Sequence, residues 1–218
     1  MKFLNRTACL GANVTEMLFG KDLDYNNGQK LRLDLFLDII KGNVQKPNSE
    51  TVIAGLYRFD MSGVYGQSEK LLWLTVEGKP NYLIMDNYSE LTDKRFRHKD
   101  GWDICGLYND FKPEFLADVE DLGLLDPEKM HSTYNEFFEY VKNRWNVPII
   151  YMHFPTTFET REKYIKQGKS ITEALDDLAP KFNIQNIHAE PDSIEQADND
   201  VYHFTKKTFK NMFDKIKK

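Results

Sequence analysis

The chain has 218 residues, 41% of them hydrophobic and 13% aromatic, with a net charge of −5 and a pI near 5.6. This content excludes a disordered chain, gives no electrostatic basis for binding nucleic acid, and suffices for one core, so a single domain over residues 1–218 is expected. No apolar run is long enough for a membrane span. The only cysteines, Cys9 and Cys105, show no zinc-like or disulfide-framework spacing, which points to no metal and to a reducing cytoplasm.

Residues 3–11 read as a first strand closing at Gly11, with Asn5 and Arg6 interrupting any leader-like apolar stretch. A short helix is expected over 13–20, a turn-rich loop over 22–28, and a helix over 29–41, where Leu31, Leu33, Leu35, Phe36, Ile39 and Ile40 recur at largely helical spacing. Apolar runs predict further strands at 51–55, 82–86, 147–153 and 184–188. Amphipathic patterns predict helices near 111–122, 127–144, 158–167, 170–181 and 203–217. In the last of these Phe209, Met212, Phe213 and Ile216 form an apolar stripe beside a lysine-rich face, the pattern of a docked helix with a solvated side.

Strands alternating with helices indicate an α/β fold, a three-layer α/β/α sandwich around a mainly parallel sheet. Ligands in such folds sit beyond the carboxyl ends of the strands. That rule selects Gly11–Asn13, Asp86–Tyr88 and His153–Pro155, and the loop before the final helix can join them. This loop carries Asp200-Val201-Tyr202-His203. An Asp–His pair is what a hydroxyl nucleophile needs: the His removes the proton, and the Asp fixes its tautomer. Read locally, Asp200 equally suits a turn or helix cap, and His153 a buried His bonded to backbone.

Three segments in this order resemble the SGNH (GDSL-like) hydrolase superfamily: Leu10-Gly11-Ala12-Asn13-Val14-Thr15, Tyr82-Leu83-Ile84-Met85-Asp86-Asn87, and Asp200-x-x-His203. The first is most similar to the Gly-Ser-Cys block of the GSCFA-type and polysaccharide-biosynthesis branches. The resemblance implies an esterase or O-acyltransferase acting on a saccharide or cell-envelope polysaccharide. It needs no cofactor, and acyl-coenzyme A would serve as donor only if the chain is a transferase. It implies Asp200 and His203 as catalytic residues, Ala12 at the nucleophile position, and Asn13 and Asn87 at the oxyanion hole, with Asn109 a rival amide to Asn87; beside it, Gly55 and Gly63 each suit either a backbone donor to the oxyanion hole or an ordinary turn, and His153 at the site edge suits a substrate contact. Neither Ala12 nor Asn13 can attack a carbonyl. Two explanations stand side by side: an inactivating exchange of Ser for Ala12, or a non-catalytic binding component of a polysaccharide assembly or secretion complex on the same fold.

Overall fold

The apolar runs become strands of a parallel sheet. The computed structural model describes residues 3–20, 25–57 and 79–216. The sheet contains β1 (Phe3–Arg6), β2 (Tyr25–Asn27), β3 (Tyr82–Asp86), β7 (Ile149–Met152) and β8 (Ile184–Ile187), in the order β2-β1-β3-β7-β8. Every neighbouring pair is parallel; β1 and β3 align Phe3 with Tyr82 and Arg6 with Met85. Leu83, Ile84 and Met85 are completely buried. Successive strand residues point to opposite faces, so both faces of β3 are covered, as the β-branched and apolar runs require.

Two sets of helices pack beside the parallel sheet's strands among the described residues. Helix α1 (Cys9–Phe19) contacts α8 (Lys206–Lys215). Helix α6 (Met130–Arg144) packs on both α2 (Leu33–Ile40) and α7 (Glu162–Phe182). The apolar stripe of α8 docks as expected, with Phe209, Met212 and Ile216 buried and Lys206, Lys207 and Lys210 exposed.

Between β3 and β7 the chain builds a three-stranded antiparallel sheet, β5-β4-β6, from β4 (Lys94–His98), β5 (Asp103–Gly106) and β6 (Val119–Gly123). It has its own core of Val52, Leu56, Phe96, Trp102, Ile104, Phe111 and Phe115. Buried ion pairs join this sheet to the rest. Lys30 Nζ reaches Asp93 at 2.8 Å and Asp110 at 3.1 Å. Arg32 donates to the carbonyls of Asp93 and Gly123 while pairing with Asp34, and Arg95 pairs with Asp38 and Asp103. In the main core, Arg6 pairs with Glu90.

Several local expectations change. β1 ends at Arg6, and α1 begins at Cys9 rather than 13. The run Thr51–Gly55 is helical, within α3 (Ser49–Gly55), because the Asn48 side chain caps it by accepting the Thr51 N–H at 3.0 Å. That capping signal outweighs the β preference of Thr51-Val52-Ile53. The helix expected at 111–122 divides into α5 (Pro113–Leu116) and β6. The two expected over 158–181 are one helix, α7; Gly168 lies inside it, where a Cβ would stand 2.9 Å from Thr156 Cγ2. Of the loop expected over 22–28, residues 22–24 lie outside the described residues and 25–27 form β2.

Removing one member of a buried pair leaves the other charge unsolvated. Glu90 also accepts the Leu33 N–H at 3.0 Å. Glu90→Ala is therefore expected to lower unfolding free energy by about 3–5 kcal/mol, whereas Lys210→Ala, which breaks an exposed pair with Asp214, should cost less than about 1 kcal/mol. Urea denaturation of the two variants checks both.

Candidate active site

Strand order 2-1-3-4-5, counted within the parallel sheet, reverses direction between β1 and β3, and ligand crevices form at such a switch point. Here the turn Thr7-Ala8-Cys9 meets Asp86-Asn87-Tyr88. Helix α1 starts at Ala8, which has no capping side chain of its own. Asp86 supplies the cap from β3. Its Oδ2 accepts the N–H groups of Ala8 at 2.7 Å and Gly11 at 3.3 Å, while Oδ1 accepts that of Tyr88 at 3.2 Å. Gly11 is required by this approach, since a Cβ there would lie 2.8 Å from Asp86 Oδ2 and 2.5 Å from Thr7 Cγ2. Burial pushes the Asp86 carboxyl up to about 7; the three N–H donors and Arg6 oppose the shift.

Cys9, the first residue of α1, is exposed and free. Its thiol is pushed up to about 11, first by partial burial and then by the Asp86 charge, with a smaller push from Asp200; the Leu10 and Cys9 N–H groups pull the other way. Ala12 lies one turn inside the helix, where its N–H donates to the Ala8 carbonyl at 2.9 Å. The exposed residue with a nucleophilic atom at the strand–helix turn is therefore Cys9, since Thr7 is buried. Asn13 is exposed, and its amide donates to the Cys9 carbonyl at 2.6 Å. Thr15 is buried and back-bonds to the Gly11 carbonyl at 2.7 Å.

The loop over 196–204 closes on itself: Ala197 N–H donates to His203 O at 2.8 Å, and Gln196 bridges Phe204. It folds across the sheet edge, with the Tyr202 ring 5.8 Å from that of Tyr88 and 6.2 Å from that of Phe154. The Tyr202 hydroxyl donates to Glu159 Oε2 at 2.7 Å. Glu159 is held down to about 2, first by the Arg161 guanidinium and then by Tyr202. His203 Nδ1 lies 2.9 Å from Asp198 Oδ2, whereas Asp200 Oδ2 is 3.8 Å from Nε2. The carboxylate that holds the ring is thus Asp198, while Asp200 Oδ1 accepts the Tyr202 N–H at 2.9 Å and shapes the turn. Asp198 could have been noticed in sequence only as one of two acids flanking Asn199.

Asn87 Oδ1 accepts the Phe154 N–H at 2.7 Å, which ties β3 to β7 and leaves the amide NH₂ as the donating end. His153 is buried; its Nε2 lies 2.5 Å from Asn186 Oδ1, and its ring stacks on His188 at 4.0 Å. Burial, then His188, pushes it down to about 3. Asn87, His153 and His188 line a cavity of about 490 Å³ between the sheet edge and α7. Gly55 is elsewhere in its contacts: it ends α3 against Phe115, and Lys112 N–H donates to its carbonyl at 2.7 Å. Gly63, a further backbone-donor candidate, lies outside the described residues. Asn109, another amide considered for the oxyanion, is exposed on the turn Tyr108–Asp110.

The chain matches no protein-family model, no curated protein and no solved structure. Among the described residues no helix is long and apolar enough to cross a membrane.

Because the folded Asp86 carboxyl binds its proton more tightly than an unfolded one, this residue's contribution to stability is greatest below the unfolded value near 4. It is lost as pH rises to about 7. Relative to Asp86→Asn, which does not titrate, the wild type is expected to lose about 2 kcal/mol between pH 5 and 8. Urea midpoints of the two proteins across that range test the sign; a constant difference would contradict it.

Proposed function

We propose that this chain is an SGNH-like α/β protein, with the two helix groups forming the outer layers around the parallel sheet. It acts as an esterase or O-acyltransferase on a saccharide or cell-envelope polysaccharide, with the Cys9 thiol as nucleophile. The observation that supports this reading is at the β1/β3 switch point: an exposed Cys9 opens α1 next to Ala8, whose N–H is held by Asp86, and the 196–204 loop packs through Tyr202 on Tyr88 of the same sheet edge. The loop that brings Asp200 also brings His203, already bonded through Nδ1 to a carboxylate.

In this reading His203 Nε2 removes the Cys9 proton as the sulfur attacks the ester carbonyl. The C–O bond then breaks, the departing alcohol takes the proton from His203, and a Cys9 thioester remains. Water, or a sugar hydroxyl in a transferase, attacks the thioester with His203 again as base, which releases the acyl group and restores the thiol. Asp198 keeps Nε2 as the working nitrogen and stabilises the imidazolium. The Asn87 NH₂ is the available side-chain donor for the oxyanion, since Asp86 already occupies the Ala8 and Gly11 N–H groups.

The reading is tested with p-nitrophenyl acetate. Wild-type turnover above the uncatalysed rate is expected, with Cys9→Ala lowering kcat/KM at least about 100-fold and His203→Ala by a similar factor. Ala12→Ser should add nothing. Turnover that survives Cys9→Ala, or appears only with Ser at position 12, would refute the Cys9 assignment.

The thiol's high resting value favours a second reading, a non-catalytic component that binds acylated glycan or a protein of a polysaccharide assembly. It expects no turnover and simple thiol chemistry. Iodoacetamide alkylation of Cys9 should then rise about tenfold per pH unit from 7 to 10, following the thiolate fraction alone, and be unchanged in His203→Ala. A His203-dependent shoulder near neutral pH in the mass-spectrometric labelling rate would count against this second reading.

A further inference from the structure

The cavity beside the switch point is built around a donor–acceptor pair that suits a hydroxyl group. Asn186 Nδ2 donates to Asp176 Oδ1 at 2.7 Å, and this turns Asn186 Oδ1 toward His153. That oxygen can only accept, so His153 carries its proton on Nε2, and Nδ1 is left as a bare lone pair. Nδ1 is buried and has no hydrogen-bond partner. A buried acceptor without a partner costs about 1–3 kcal/mol, a cost that a donating ligand would offset. On the next residue, Phe154 N–H fixes Asn87 Oδ1 and so presents the Asn87 NH₂ as a donor. A hydroxyl both accepts and donates, and satisfies the two together.

The rest of the wall narrows the ligand further. Lys169 and Glu173 are paired at 3.8 Å and cancel at the rim, burial pushes His153 down to about 3, and burial likewise pushes His188 below the ordinary imidazole value, so neither ring is favoured as a cation. The lining therefore carries no net charge to attract a phosphate or carboxylate. Thr156, Thr157 and Thr172 add hydroxyls, while Phe154, Ile165 and Ile194 add apolar surface. Neutral sugars present this same mixture of hydroxyls and apolar ring faces.

We infer that this cavity is a binding site for an uncharged saccharide, with one sugar hydroxyl bridging His153 Nδ1 and the Asn87 amide. The site shares its Asn87 and Phe154 wall with the proposed ester chemistry and rests on that reading only for the idea that the bound sugar carries the acyl group to Cys9. Binding itself is independent of any reaction.

The experiment uses full-length Cys9→Ala protein, in which ester chemistry plays no part, and two probes of one skeleton, methyl glucoside and glucuronate. Methyl glucoside should bind saturably with a Kd in the range of about 0.1–10 mM and move the ¹⁵N resonance of His153 Nδ1, while glucuronate binds at least about tenfold more weakly. Thr172→Trp, which adds bulk to the α7 wall of the cavity, should abolish binding, and an unchanged ¹⁵N resonance of His153 in the sugar-free variant checks that the His153–Asn186–Asp176 chain, one turn away at Asp176, is intact. His153→Phe should weaken it about tenfold or more. Equal affinity for the two probes, binding that survives Thr172→Trp, or no saturation by either probe up to about 50 mM overturns the proposal. Absence of p-nitrophenyl acetate turnover by the wild-type protein, with sugar binding intact, would instead sink the catalytic reading and leave this one standing.

Discussion

One buried carboxylate organises the edge of the sheet on which the proposed chemistry depends. Asp86 ends β3, yet it caps the helix that follows β1 and also receives the N–H that opens α4 (Tyr88–Thr92). Hydrogen bonds to a charged group contribute about 1.5–3 kcal/mol each, and three of them converge here. Burial works against the same charge, so the carboxyl rests near neutrality instead of deep in the ionised range. The sequence accommodates this geometry in two ways: Ala8 contributes no competing cap, and Gly11 leaves room for the oxygen.

The same solution, a charge taken out of water and held by fixed partners, recurs across the molecule. Arg6 and Glu90 join β1 to α4, and Lys30 reaches both Asp93 and Asp110 on the segments around the antiparallel sheet. Arg95 bridges Asp38 of α2 and Asp103 of β5. Replacing such pairs by apolar residues is often neutral or stabilising, so their value is better sought in register than in net stability. The small aromatic core of the antiparallel sheet is separate from the main one, and these charges fix how that sheet seats on the segments following β1 and β3.

Three of the five parallel strands were legible as apolar runs: 82–86 has the observed bounds, and the runs at 147–153 and 184–188 are each within two residues of β7 and β8, whereas β2, Tyr25-Asn26-Asn27, falls on an expected loop because it has no apolar run. The antiparallel strands were not legible. Lys94-Arg95-Phe96-Arg97-His98 is mostly charged, and its stability comes from partners as remote as Asp38 and Asp103 rather than from a pattern along the chain. The first turn was misplaced for a related reason. Gly11 reads as a strand terminator, but its glycine is needed for close approach to Asp86, 75 residues away. With the helix beginning at Cys9, position 12 lies one turn inside it and not at the turn. The grouping of the β3 end, the β7 end and the Asp200–His203 loop followed from topology alone, whereas the carboxylate bonded to His203 depended on how the loop closes.

These features bear on reactivity through one electrostatic argument. A thiol at a helix N-terminus is ordinarily made acidic by the nearby N–H groups. Here Asp86 takes two of those groups and adds its own negative charge, so the helix start that would activate Cys9 is spent on architecture, and the thiol rests near 11. Activation must then come from a base delivered by another element. In the proposed reaction that base is His203, on the loop over 196–204, whose seating rests on Tyr202, packed on Tyr88 and Phe154 and bonded to a Glu159 that Arg161 keeps ionised. The Cys9 thiol is thus held above its ordinary value at the very position, a helix start, that would otherwise lower it.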